Sequence, residues 1–215
     1  MTTTLTNPRI VIPAAGAQSR WGNGGDNTLA VANKLLVSVH GEPLLKRTGR
    51  QLKERAQTDV IVICDPNDPT ELPGTGLGHS VTAWANDGKR TTVLFGDVCW
   101  SDAGLDLILA CDAAAVTFFG RSGPGRYLRR HREIFGLSFP ASQQAVLLNA
   151  LRHFAGIRPA GMTCGGWPIY AILQGRPWND YSVSKNFVEI DDETSDFDRP
   201  EDWIYWRRLF EKKTI

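Results

Sequence analysis

The sequence has no charge excess of either sign: 24 Lys and Arg stand against 23 Asp and Glu, a formal charge of +1. That balance gives no support to a general nucleic-acid or membrane-surface binder, which needs a basic excess or patch. No apolar run approaches the roughly 18 to 20 residues of a membrane span. The start, Met1 to Pro8, has no basic region before a long apolar stretch, so it does not read as a secretory signal. Cysteine is scarce. Cys64, Cys99, Cys111 and Cys164 lie 35, 12 and 53 residues apart, with no C-x-x-C pair and no histidine at zinc-finger spacing. A structural metal site is therefore not expected. Three of the four sit in or beside apolar or helical stretches and read as buried, reduced thiols of a cytoplasmic protein. The even count leaves two disulfides in a secreted chain as the alternative.

What is present suffices for a core: 42% of residues are hydrophobic and 22% charged, which speaks against a disordered chain. At roughly 150 residues per domain, 215 residues make one domain. Arg9 to Ala14, Asp59 to Cys64, Thr91 to Phe95 and Ala113 to Phe119 are short β-branched or aromatic runs. Their apolarity is continuous rather than alternating, which predicts strands covered on both faces, as in a parallel sheet. Between the first two, Leu44, Leu45, Thr48, Leu52 and Ala56 mark one stripe of a helix over 43–57, with Pro43 suited to its first turn. Shorter helices are expected over 79–86 and 102–111, the latter with Ser101 as N-cap. The alternation predicts an α/β fold of three layers, a mostly parallel mixed sheet flanked by helices. The second half is less regular. Residues 121–132 are rich in Gly and Arg, 142–154 has a helical pattern, and 161–168 is rich in Gly, Pro and Trp. An acidic segment, 189–202, leads into an amphipathic helix carrying Trp203, Trp206, Leu209 and Phe210.

The chemistry-bearing feature follows the first strand. Pro13-Ala14-Ala15-Gly16-Ala17-Gln18-Ser19-Arg20-Trp21-Gly22 opens a glycine-rich loop that runs to Asn33-Lys34-Leu35-Leu36. Small residues after a buried strand let the backbone approach a bound group and leave N–H groups for phosphate oxygens. Arg20 and Lys34 add fixed positive charge on either side. A dinucleotide fingerprint needs G-x-G-x-x-G, and here only Gly16 precedes Gly22. A Walker loop needs G-x-x-x-x-G-K-[ST], and Lys34 has neither the glycine before it nor the Ser or Thr after it. That leaves a phosphate-gripping loop of another kind. The histidines, His40, His79, His131 and His153, are scattered and pair with no nucleophile.

P-A-A-G-x-x-x-R at Pro13 to Arg20, K-L-L at Lys34 to Leu36 and G-E-P-L-L at Gly41 to Leu45 resemble a known N-terminal signature. It is that of the GT-A-like nucleotidyltransferases. These include sugar-1-phosphate nucleotidylyltransferases, the methylerythritol-phosphate and Kdo cytidylyltransferases and, more distantly, the molybdenum-cofactor guanylyltransferases. His79-Ser80-Val81 is similar to the S-V pair opening the helix after the base-binding loop of cytidylyltransferases. Leu94-Phe95-Gly96-Asp97-Val98 is similar to the strand end that carries the family's metal-binding aspartate. Asp198-Arg199-Pro200-Glu201-Asp202-Trp203 resembles the D-x-P-E-D segment near the family's C-terminus.

The resemblance implies a Rossmann-like, GT-A-like fold and a Mg²⁺-dependent enzyme. Such an enzyme transfers a nucleoside monophosphate from an NTP to a phosphorylated small molecule, a sugar or polyol phosphate, and releases pyrophosphate. It implies Asp97 and Asp198 as metal ligands, Arg20 at the β- and γ-phosphates and Lys34 at the α-phosphate. Ala14, Ala15, Gly16, Ala17 and Ser80 would contact the nucleotide. Residues from about 8 to 120 would bind the nucleotide and those from about 121 to 215 the acceptor. The Ser80-Val81 and P-A-A-G likenesses favour CTP over UTP or GTP. The partners on this reading are the NTP and the phosphorylated acceptor, with no nucleic acid and no membrane. A homodimer is compatible with it, although no residue pattern fixes the oligomeric state.

The chain also departs from the pattern. The family's P-K pair is Asn33-Lys34 here, and the loop between Arg20 and Lys34 is long, with Gly22, Gly24 and Gly25 in it. Asp191, Asp192 and Asp196 compete with Asp198 for the second metal position, and Asp198 alone holds the D-x-P-E-D place. Asp97 also reads as a turn aspartate, and Glu201 and Asp202 as acids favoured in a first helical turn. Arg126 to Arg132 reads either as a grip on an anionic acceptor or as a solvated helix face. Trp21 and Trp167, in glycine-rich loops, are candidates to stack on a base or sugar. Two other functions suit such a fold. A GT-A glycosyltransferase would want a D-x-D, and Gly96-Asp97-Val98 lacks the second acid. A non-catalytic nucleotide-binding protein would not need Arg20, Lys34, Asp97 and Asp198 together.

Overall fold

The computed structural model describes residues 7–14, 34–63, 77–84, 87–124, 132–159, 162 and 165–211, with Lys34 and His79 in the main chain alone. Its first strand, β1 (Arg9–Pro13), is buried over its last four residues. Successive side chains of a strand face opposite ways, and β1 divides its apolar residues accordingly. Ile10 and Ile12 pack with Leu52, Leu105 and Ile108; Val11 packs with Leu77, Trp84, Leu147 and Leu151. A strand apolar on both faces needs cover on both. That requirement produces three layers.

The hairpin β2 (Ser38–Val39) and β3 (Glu42–Pro43) leads into helix α1 (Leu44–Glu54). Then come β4 (Val60–Ile63), β5 (Thr91–Leu94), β6 (Val98–Cys99) and helix α2 (Asp102–Leu109). β7 (Thr117–Arg121), β8 (Glu133–Phe139), α3 (Gln144–Ile157) and α4 (Gly166–Leu173) follow, with β9 (Phe187–Glu189), β10 (Ser195–Asp196) and α5 (Pro200–Phe210) last. Six strands form one sheet in the order β4–β1–β5–β8–β7–β9. β1 is parallel to β4 and β5, β8 is antiparallel to β5 and β7, and β9 is parallel to β7. Leu52 of α1 and the apolar side of α2 cover one face, while α3 and α4 cover the other. The mostly parallel mixed sheet flanked by helices agrees with the sequence expectation.

The first half follows the expected runs within a few residues. Ser101 caps α2, its Oγ accepting from the Gly104 N–H at 2.8 Å. Pro43 stands just before α1 in extended conformation, paired with Ser38, rather than inside the first turn. The 79–86 helix is a 3-10 segment, Gly78–Ala83.

Three expectations need correction. The 113–119 strand is β7, displaced to 117–121, because Asp112–Ala115 lack the branched side chains that favour a strand and partly face solvent. It runs on through Gly120 and Arg121, residues that a pattern reading takes as its end. Within the half read as irregular lies β8, whose apolar run is interrupted by Gly136 and Ser138. Ser138 is nevertheless buried, 3.0 Å from Thr92 Oγ1. Leu209 is 46% exposed, so the buried face of α5 is Trp203 and Trp206, joined by the half-buried Phe210.

Two predictions follow from this packing. A Cβ on Gly120 would stand 2.1 Å from the Glu133 carbonyl oxygen, a main-chain atom across the β7–β8 ladder. Gly120→Ala lowers stability in denaturant titration by about 2 kcal/mol or more through this overpacking. At the opposite end of the sheet from the strands' carboxyl termini, Asp59 receives Lys89 Nζ at 3.0 Å and Arg9 Nε at 3.3 Å. Lys89 foremost, with Arg9, holds its carboxyl below the usual carboxylate range. A carboxyl that titrates lower when folded contributes stability above its unfolded-state value, and that contribution fades as pH falls through the folded-state value. Asp59→Asn should therefore cost up to about 1 kcal/mol at pH 7, with the difference from wild type closing in melts at acid pH.

Candidate active site

The parallel strands β4, β1 and β5 end on one edge of the sheet. The chain passes from β1 to β4 on one side and then returns across to β5 on the other, so winding reverses between β1 and β5. In open α/β sheets the crevice at such a reversal, outside the carboxyl ends, is where ligands bind. Ala14, the first residue past β1, is fixed by its N–H to the Ile63 carbonyl at 2.8 Å. The Gly96 N–H donates to the Pro13 carbonyl at 3.3 Å. A Cβ on Gly96 would lie 2.9 Å from that oxygen and 3.2 Å from Ala14 Cα, so glycine is what lets the two strand ends touch.

Asp97 sits in a tight turn closed by the Val98 N–H to the Phe95 carbonyl at 3.2 Å. Beyond it β6 pairs antiparallel with β10, Val98 opposite Asp196 and Cys99 opposite Ser195. One step further, the Phe197 N–H donates to the Asp97 carbonyl at 3.3 Å, and Asp198 comes next. Two acids far apart in sequence thus stand on neighbouring segments, both half-buried.

A small core holds this corner together. Val37, Val39, Leu44, Cys99, Phe197, Trp203 and Trp206 are buried against one another. Trp203 Nε1 donates to the Ser38 carbonyl at 3.0 Å, and Trp206 Nε1 to that of Glu193 at 2.7 Å. The K-L-L motif forms a 3-10 turn, Lys34–Leu36, that feeds straight into Val37. The K-L-L turn, the Gly96–Asp97–Val98 strand end and the Asp198–Trp203 segment therefore lead into one cluster. Cys99 is part of it; burial pushes its thiol up to about 12, the inert state of a packed cysteine.

No protein-family model matches the chain, and no curated protein matches its sequence. Solved structures do. The 4-diphosphocytidyl-2C-methyl-D-erythritol synthase of Anaerococcus prevotii aligns over 94% of this chain and 97% of its own, with TM-score 0.57 and 11% identity. A Bacillus anthracis protein named as a glucose-1-phosphate thymidylyltransferase aligns over 96% of each chain, with TM-score 0.56 and 14% identity. The inositol-1-phosphate CTP transferase of T. maritima covers 98% of this chain and 99% of its own, with TM-score 0.52 and 12% identity. The chain shares its fold with these proteins.

Within that fold one of the competing acids, Asp192, is taken up by its neighbours. The Asp192 carboxylate accepts from Ser101 Oγ at 2.5 Å and from the Thr194 N–H at 2.7 Å, binding the acidic segment to the start of α2. Asp202 accepts from the Arg199 N–H at 2.9 Å and caps α5. Among the described residues no group of three His, Cys, Asp or Glu forms a metal cage. Ala15, Gly16, Ala17, Arg20, Trp21 and 125–131 lie outside the described residues, and Lys34 is placed by its main chain alone. Trp167 stacks on Phe187 with ring centroids 5.6 Å apart, and its Nε1 donates to the Arg132 carbonyl at 3.2 Å.

Arg121 and Glu133 were not marked by any motif. Arg121, at the end of β7, is 1% exposed, and its Nη1 meets Glu133 Oε2 at 3.1 Å. Burial pushes the Glu133 carboxyl up to about 7 against the pull of the guanidinium. In the sequence Arg121 closes an apolar run and opens a Gly/Arg-rich stretch, where an arginine reads as solvated.

Ser80 is fully buried; its Oγ donates to the Leu77 carbonyl at 2.6 Å and accepts from Trp84 Nε1 at 2.9 Å. Its side chain therefore shapes the 3-10 segment. Ser80→Ala leaves the buried indole N–H unpaired, and chemical denaturation should register a loss of about 1–3 kcal/mol.

Proposed function

We propose that the chain is a nucleotidyltransferase that moves a nucleoside monophosphate from an NTP to a sugar or polyol phosphate, with CTP the favoured donor. The observation that carries this reading is the meeting of Ala14, Gly96–Asp97 and Phe197–Asp198 at the carboxyl ends of β1 and β5. The names of the structural neighbours, a thymidylyltransferase and a CTP transferase acting on phosphorylated small molecules among them, support it by analogy of fold.

In the reaction an acceptor phosphate oxygen bonds to the α-phosphorus, and the bond from that phosphorus to the bridging oxygen breaks. Pyrophosphate leaves with the electron pair. Attacker and leaving group are both anionic, so the chain's work is alignment and neutralisation rather than covalent chemistry. On this reading the main chain from Ala14 to Ala17 cradles the nucleotide, and the segment around Ser80 faces the base. Arg20 takes the β- and γ-phosphates, and Lys34 lies by the α-phosphate, where charge grows. Asp97 and Asp198 would supply hard carboxylate oxygens from adjacent segments, a donor set that suits Mg²⁺. Bound there, the ion neutralises phosphate charge. Residues 8–120 serve the nucleotide and 121–215 the acceptor. The free thiols of Cys99 and Cys111 suit a reducing, cytoplasmic setting.

The test incubates the chain with each NTP, Mg²⁺ and a panel of sugar and polyol phosphates, and measures pyrophosphate. Release that requires both an NTP and an acceptor is expected. Asp97→Asn and Asp198→Asn should each lower turnover about 100-fold or more with melting temperatures retained. Wild-type rates in both variants would remove the site assignment. Nucleoside diphosphate released from nucleotide sugars, with no pyrophosphate from NTPs, would make the chain a glycosyltransferase instead.

A further inference from the structure

Arg121 is the charged residue among the largest fully buried side chains, and the chemistry above does not use it. An interior guanidinium is costly unless its hydrogens are taken up; those of Nη1 and Nη2 find acceptors here, that of Nε finds none among the described residues. Besides Glu133, Arg121 serves two main-chain carbonyls: Nη2 donates to Thr194 at 2.7 Å and to Asp192 at 3.3 Å. Glu133 in turn accepts the main-chain N–H of Asp196. The next N–H along, that of Phe197, goes to the Asp97 carbonyl. Asp198 is the residue after that.

We infer that the buried Arg121–Glu133 pair is a positioning device for the Asp198 carboxylate, pinning residues 192–196 to the ends of β7 and β8. The pair touches neither the substrates nor the ion. It sets where Asp198 stands relative to Asp97, and so rests on the reading of those two acids as metal ligands. A planar guanidinium can serve one carboxylate and two carbonyls from a single fork, which an ammonium group cannot reproduce.

The experiment reads Mn²⁺ binding by loss of the free-ion EPR signal. It is run with whichever of ATP, CTP, GTP, UTP or dTTP most raises the melting temperature of the chain. The double variant Arg121→Met/Glu133→Leu, with apolar side chains replacing the pair, should keep a cooperative melt. Both it and Glu133→Gln should bind Mn²⁺ about 10- to 100-fold more weakly, with affinity for the metal-free nucleotide unchanged. Arg121→Lys should recover part of the loss. If the double variant does not melt cooperatively, Glu133→Gln alone decides. Wild-type Mn²⁺ affinity in the folded variants overturns the inference, and so does an equal loss of metal-free nucleotide affinity, which marks general loosening. Asp97→Asn and Asp198→Asn are measured alongside; wild-type Mn²⁺ binding in those two means that the ligand reading has failed, whatever the pair does. If no nucleotide raises the melting temperature, the nucleotidyltransferase reading falls, and the inference with it.

Discussion

The burial of Phe197 against Trp206 is the contact on which the candidate site depends. Their rings meet edge to face at 5.8 Å inside the small core that also takes in Val37, Val39 and Cys99. A fully buried aromatic or aliphatic side chain of this size is stabilised by about 1.5–3 kcal/mol relative to solvent. That is ample to hold a two-residue ladder such as β6–β10, which has few hydrogen bonds of its own. Each of the three segments that enter this core carries a polar landmark beside its apolar anchor: Lys34 before Val37, Asp97 before Cys99, Asp198 after Phe197. The apolar residue sets the position and the neighbouring polar residue inherits it.

Polar interactions add the geometry that packing leaves loose. The indole of Trp203 fastens the β2–β3 hairpin, and that of Trp206 fastens the acidic segment at Glu193. Ser101, Asp192 and Thr194 interlock the same segment with the start of α2. Arg121 then secures it from the sheet side. These bonds are buried or half-buried, where a lost partner is costly.

Sequence patterning reaches far into the first half because β1, β4 and β5 are built from β-branched runs with clear breaks between them. α1 and α2 carry ordinary helical stripes, and Ser101 is an ordinary N-cap. The second half hides its strands. β8 contains a glycine and a serine where a period count expects apolar residues, and β7 ends in a buried arginine that composition reads as surface. The landmarks Asp97 and Asp198 were visible as motif fragments and the resemblance implied that they converge, but the route was not legible, since no spacing in a linear sequence specifies which hairpin ends will pair. What joined them was their apolar neighbours, Cys99 and Phe197. Ser80 shows the converse: a motif residue whose side chain turns out to be occupied by its own 3-10 segment.

The architecture also orders events in time. A ribosome delivers β1, β4 and β5 well before Phe197 and Trp206, the residues that seat Asp198 beside the Asp97 turn. The nascent chain can therefore lay down its central parallel strands before the segment carrying Asp198 takes its place beside them.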